Sequence, residues 1–153
     1  MLESMMENAS LQGATTQVAA KRERLRFTDF SFQRSPSGIC VAEVVLSWHD
    51  GSTIRGRAAG QSGPMGDLRL SAEAALRALE QFSNHELRFE LIGVKLVRAF
   101  DENLVIVSIA MRGDTGPTRL IGAYLAAEDV TRGAAVAVLN ATNRVLGNYV
   151  ATH

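Results

Sequence analysis

Ile39-Cys40-Val41-Ala42-Glu43-Val44-Val45-Leu46-Ser47-Trp48, then His49-Asp50-Gly51-Ser52, then Thr53-Ile54-Arg55-Gly56-Arg57-Ala58-Ala59, is the stretch whose reading decides the fold. The first run is rich in β-branched residues, which suit a pleated, half-buried surface, and it reads as a strand. The Asp50-Gly51 pair favours a tight reversal, so Thr53 to Ala59 returns as an antiparallel neighbour. Toward the N-terminus, Ser35-Pro36-Ser37-Gly38 is a second turn signal. Before it, Leu25, Phe27, Phe30 and Phe32 are separated by Arg26, Thr28, Ser31 and Gln33, a strand-like alternation with a bulge or bend expected near Asp29. Three strands joined by short turns make an antiparallel meander.

Beyond this meander, Gly60-Gln61-Ser62-Gly63-Pro64-Met65-Gly66 interrupts the strand pattern and leads into a helix. Asp67 suits its N-cap or first turn, and Leu68, Ala72, Ala75, Leu76, Leu79 and Phe82 share one face before Ser83-Asn84 ends it. The same order then returns from about Leu87 to Leu146. Leu87 to Phe100 reads as a strand bent near Gly93, Asp101-Glu102-Asn103 as a turn, and Leu104 to Met111 as a strand. Gly113 to Pro117 turns the chain again, and Thr118 to Leu125 completes the second meander. Glu128-Asp129 marks a helix start, Val130, Ala134, Ala137, Val138, Ala141 and Val145 form its apolar face, and Gly147 is the expected stop.

The halves align with Arg34 beside Arg98, Gly56 beside Gly122, Leu76 beside Leu139 and Ala78 beside Ala141. The expected fold is therefore α+β: duplicated β-β-β-α units (about 25–84 and 85–147) with antiparallel sheets, two helices and internal pseudo-two-fold symmetry. Residues 1–24 carry weak periodicity and read as a flexible N-terminal segment ahead of a single duplicated domain spanning 25–153.

Sixteen basic and sixteen acidic residues give a net charge of zero, so no overall field favours nucleic acid or an anionic membrane. The same neutrality removes long-range repulsion between copies. Cys40 is the single cysteine, in an apolar run with no basic neighbour, which suits a small buried hydrophobe and excludes an intrachain disulfide. His49, His85 and His153 lack the spacing of a metal or acid/base set. No nucleophile elbow or phosphate loop is present, so the chain is expected to be non-catalytic, without cofactor or metal. Nucleic-acid binding would require Arg55, Arg57, Arg69, Arg112 and Arg119 to converge on one face. Acidic residues in Met1 to Glu7 do not suit a secretory signal and no apolar run is long enough to span a bilayer, so a cytoplasmic location is the default.

The glycine-rich passage from strand to helix is the place where backbone amides can receive a carboxylate. The candidate ligand residues are therefore Gly60, Gln61, Ser62 and Gly63 from one unit, with Tyr124 and Asp129 from the other; Tyr124 would supply an aromatic wall with a polar tip.

Gly60-Gln61-Ser62-Gly63-Pro64 entering an alanine-rich helix is joined by Glu128-Asp129-Val130, Gly133-Ala134 and Val138-Leu139-Asn140-Ala141-Thr142-Asn143-Arg144. On these residues, over roughly Leu25 to Gly147, the chain resembles the C-terminal regulatory (allosteric) domain of 2-isopropylmalate synthase and citramalate synthase. The resemblance implies two βββα units, homodimerisation and end-product binding near loops at the dimer interface. The synthase barrel and its metal-binding histidines have no counterpart in the sequence, so synthase activity is not implied. Gly66-Asp67 after Pro64-Met65 also departs from the family's compact Val-Asp-Ala. The expected function is a non-catalytic regulatory or small-ligand-binding homodimer, with a structural assembly module as the alternative. Its expected partners are a second copy, a small carboxylate or amino acid, or another protein, and neither nucleic acid nor membrane.

Overall fold

The computed structural model describes residues 25–113 and 116–152. The segment expected to be flexible, 1–24, and His153 lie outside them. Strands β1 (Arg26–Arg34), β2 (Ile39–Ser47) and β3 (Thr53–Gln61) precede helix α1 (Pro64–Phe82). Strands β4 (Arg88–Ala99), β5 (Glu102–Arg112) and β6 (Thr118–Ala126) precede α2 (Val130–Thr152). The strands form two separate three-stranded antiparallel sheets in sequence order. Each sheet is covered on one face by its own helix, and the two helices pack against each other. The fold is α+β with a repeated βββα unit.

Side-chain alternation decides which face each sheet buries. Cys40, Ala42, Val44 and Leu46 of β2 point toward α1, while Val105, Val107 and Ile109 of β5 point toward α2, and all seven are fully buried. The helix stripes meet them: Leu68, Ala72, Ala75, Leu76 and Leu79 on α1, and Ala134, Ala137 and Val138 on α2, are likewise buried. The first strand of each sheet carries a bulge at the expected place, between Phe27 and Asp29 in β1 and between Leu91 and Gly93 in β4.

The aligned glycines explain how closely the layers approach. A Cβ on Gly56 would stand 2.0 Å from the Ala74 carbonyl oxygen and 2.3 Å from the Ala78 nitrogen. A Cβ on Gly122 would stand 2.2 Å from the Ala137 oxygen and 2.7 Å from the Ala141 nitrogen. In both units, helix backbone lies directly on strand backbone, which only glycine permits.

Three expected boundaries move. Helix α1 begins at Pro64, so Pro64, Met65 and Gly66 form its first turn instead of a loop. Proline is suited to that position because its missing N–H is not needed there. The β4–β5 reversal is the pair Phe100-Asp101, both at positive φ (53° and 62°), while Glu102 and Asn103 already pair within β5. Such mirror-image turns follow the twist of the strands more closely than an ordinary turn, and this overrides the poor intrinsic preference of Phe for that conformation. Helix α2 runs through Gly147 to Thr152. Its final turns are held by tertiary contact, with the Tyr149 ring 6.3 Å from Phe82 and its hydroxyl 3.4 Å from the Ser83 carbonyl, and a glycine alone does not end a helix so anchored.

Candidate functional site

The repeat creates two comparable junctions, where a helix meets the first strand of the other unit. The tripeptide Leu25-Arg26-Phe27 that opens β1 recurs as Leu87-Arg88-Phe89 before and into β4. Against α1 the junction is sealed. Phe89 and Leu91 are buried, the Phe89 N–H donates to the Glu80 carboxylate at 3.0 Å, and Arg69 donates to the Leu91 carbonyl at 3.3 Å. Glu80 is further tied to Arg77, and Arg69 pairs with Glu73 at 3.7 Å.

Against α2 the same junction is open. Leu25 and Phe27 are only half-buried, and a cleft of about 280 Å3 separates the start of β1 from α2 and β6. Leu25, Phe27, Tyr124, Arg132, Val136, Leu139, Asn140 and Asn143 line it. The offset that relates Leu76 to Leu139 also relates Arg69 to Arg132, Glu73 to Val136, Arg77 to Asn140 and Glu80 to Asn143. The arginine of the sealed junction is thus kept, and both of its acids are replaced by uncharged residues. The carboxylate that fastens β4 to α1 has no equivalent holding β1 to α2.

The cleft has a polar side and an apolar side. Asp129 accepts from the Arg132 N–H at 3.1 Å and from the Thr131 hydroxyl at 2.7 Å, capping α2. This fixes Arg132 in the first helical turn, where the backbone dipole adds positive potential. Its guanidinium lies 4.9 Å from the Phe27 ring centroid, and among the described residues no carboxylate pairs with it. Asn140 donates from Nδ2 to the Ala123 carbonyl at 3.0 Å, which orients its Oδ1 as an acceptor. Val136 and Leu139 supply apolar contact. Tyr124 packs beside Gly133, where an added Cβ would meet Tyr124 Cδ2 at 3.5 Å and Ala126 Cβ at 2.8 Å.

Of the residues expected from sequence, Tyr124 lines this cleft and Asp129 caps the helix that carries Arg132. Gly60, Gln61, Ser62 and Gly63 lie elsewhere. Ser62 is reached by Arg34 at the C-terminal end of β1, whereas the cleft touches Leu25 and Phe27 at its beginning, about 20 Å away at the rise of an extended strand. The loop amides are also engaged within the chain: Ser62 N–H donates to the Gly38 carbonyl at 2.9 Å, and Gly63 N–H to the Asp67 carboxylate at 3.2 Å. Buried Asp67 is in turn paired with Arg34. Arg132 is not marked by the sequence pattern, and Asn140 and Asn143 enter there only in the run that carries the resemblance, not as ligand residues. The repeated Leu-Arg-Phe, together with the loss of both acids at equivalent helix positions, is the signal that would have marked them.

The five arginines do not converge. Arg55 and Arg57 lie on the outer face of the first sheet, Arg55 pairing with Glu43 at 2.7 Å; Arg69 sits on α1 against β4; Arg119 reaches Ser108 at 3.3 Å and Arg112 lies 3.9 Å from Glu90 on the second sheet. His49 stacks edge-on against Trp48 at 4.5 Å in the β2–β3 turn, and His85 lies exposed after α1, its N–H donating to the Glu80 carbonyl at 2.8 Å. Cys40 is buried. No helix among the described residues is long and apolar enough to cross a membrane. No protein-family model matches the chain, and no curated protein matches it.

Proposed function

We propose that this chain is a non-catalytic regulatory module that binds a small ligand and works as a homodimer, on the plan of the 2-isopropylmalate synthase and citramalate synthase regulatory domain. The observation that carries the reading is the difference between two junctions of one repeated unit. Where β4 meets α1, Leu76 is fully buried; where β1 meets α2, its counterpart Leu139 borders an open cleft. Apolar surface in a groove open to solvent stays hydrated, and an occupant that covers it gains the burial. The cleft combines an aromatic wall, an apolar floor and a few polar groups, the usual make-up of a small-molecule site. Thermal shift of the full chain against branched amino acids and oxo-acids tests this: a ligand at a hundredfold excess over its Kd adds about 2.7 kcal/mol of stability. A flat response across that panel would sink the proposal.

A second reading, self-assembly without a ligand, is favoured by one specific feature. On the uncovered face of the second sheet, Val97, Leu104, Leu125, Ile106, Ala123 and Ile121 adjoin around Lys95 and Ser108, and Ile121 and Leu125 are 61% and 45% exposed. The equivalent face of the first sheet sets Val41, Val45 and Ala59 among Asp29, Ser31, Gln33, Glu43, Arg55 and Arg57. A second copy is the occupant this face fits. A largely apolar three-stranded face can meet its own copy about a two-fold axis, and zero net charge leaves the copies without long-range repulsion. Light scattering separates the readings: a dimer indifferent to every ligand favours assembly alone, and a monomer at high concentration removes both dimer proposals.

A further inference from the structure

We infer that the open cleft at the β1–α2 junction is covered by this chain's own preceding segment: Leu2, Met5, Met6 and Ala9 lie on its apolar floor, and Glu3 and Glu7 face Arg132. The inference stands without a small ligand, which would have to displace the segment to enter. The form of the cleft is the first reason. Its floor, Phe27, Val136 and Leu139, is half-buried and apolar, while Arg132, Asn140 and Asn143 along it are exposed. A solvent-open groove with an apolar floor and a polar rim suits the apolar side of an amphipathic segment, anchored at i, i+3, i+4 and i+7.

Residues 2–9 carry that spacing. Leu2, Met5, Met6 and Ala9 share one face at helical period, and Glu3 and Glu7 fall together beside it. Unbranched methionines adapt to an irregular floor. Charge agrees with this placement. Arg69 in the sealed junction pairs with Glu73 four residues on, whereas Arg132 has Val136 there and no ion pair among the described residues; Asp129 beside it caps the helix.

Connectivity is the third reason. The chain enters β4 from α1 through a short link, with the Leu87 N–H donating to the Ser83 hydroxyl at 3.0 Å. It enters β1 from residues 1–24 and arrives at Leu25, which itself lines the cleft. Residues 10–24 span at most about 50 Å, ample to turn back beside Leu25. Tethering sets an effective concentration of about a millimolar, so an affinity too weak to join separate molecules holds within one chain.

Paramagnetic NMR on the full chain tests this. A nitroxide on an added cysteine, Ser10→Cys, is expected to broaden the side-chain amide signals of Asn140 and Asn143. Buried Cys40 is shielded from the reagent, and the parent chain carried through the same labelling is the control. In the labelled chain, M5D together with M6D is expected to lower the docked-to-free ratio about tenfold and restore both signals. R132E puts an acid in a first helical turn, where the fold tolerates it; it is expected to weaken docking, and E3R with E7R to recover it. No recovery overturns the pairing of those acids with Arg132. Broadening of the Ile121 and Leu125 methyl signals in place of the asparagines assigns the segment to the uncovered sheet face and overturns the inference. Asparagine broadening in nitroxide-free, isotope-labelled chain mixed with the nitroxide-labelled chain shows that the segment comes from a second copy, and overturns it too. Asparagine signals left sharp, or broadening that survives M5D and M6D, also overturn it, while the ligand reading of the cleft is decided separately by the thermal-shift panel.

Discussion

Gly56 and Gly122 are the residues at which each helix lies on its sheet. Substitution by alanine places a methyl group well inside helix backbone, 2.0 Å and 2.2 Å from carbonyl oxygens, so helix and sheet must separate. Overpacking of this kind costs about 3 kcal/mol, and a urea midpoint lowered accordingly is expected for either variant. Gly147 is the opposite case. It lies exposed inside α2 with no atom within 4 Å of an added Cβ, so G147A is expected to raise stability by about 0.5–1 kcal/mol in the same assay. Sequence alone assigns these glycines differently. The alignment of Gly56 with Gly122 was legible, and so was the pairing of Ala78 with Ala141 that lies over it. Reading Gly147 as a stop failed because a helix end is decided by what its last turn touches, here Phe82 and Ser83 from the other unit.

At the scale of elements, two side chains, Glu80 and Arg69, fasten β4 to α1, and Glu80 holds the buried donor. Glu80 accepts the buried Phe89 N–H, so E80A leaves that donor without a partner and is expected to cost about 1–3 kcal/mol, whereas E80Q, which retains an acceptor, is expected to cost less. Denaturation of the two variants in parallel checks the order. The corresponding change at the open junction, N143A, is expected to leave stability nearly unchanged, since Asn143 is exposed and fastens no strand. The end of α2 adds a pH dependence. Burial foremost, then the charge of Glu86 and a hydrogen bond to it, hold the Tyr149 hydroxyl above its ordinary value of 10.0. A raised folded-state value means the neutral phenol's stabilisation is complete below pH 10.0 and is lost as pH rises through that folded value. Thermal midpoints taken across alkaline pH are expected to fall in the parent protein, and Y149F is expected to lack that part of the fall.

For the whole molecule, the proposed association is tested at the uncovered face of the second sheet and the hairpin tip beside it. Phe100 is 92% exposed at a positive φ, next to the end of the sheet that carries Val97 and Leu125. Replacing Ile121 and Leu125 by arginine is expected to convert the proposed dimer to a monomer by light scattering without lowering the unfolding midpoint by more than about 1 kcal/mol, because neither residue belongs to the core. Two meanders, two helices and their repetition were written in local pattern: alternation, turn residues and helical stripes are properties of neighbours in the chain, and they determined the βββα units by themselves. The cleft was not readable in that way. Whether Phe27 seals against α2 as Phe89 seals against α1 depends on side chains brought together across the two units, Glu80 in one place and Asn143 in the other. Only the tertiary structure decided that one junction closes and its repeat stays open: Glu80 and Phe89 are nine residues apart, whereas Phe27 and Asn143 come from opposite ends of the described chain and are brought beside each other by the fold alone.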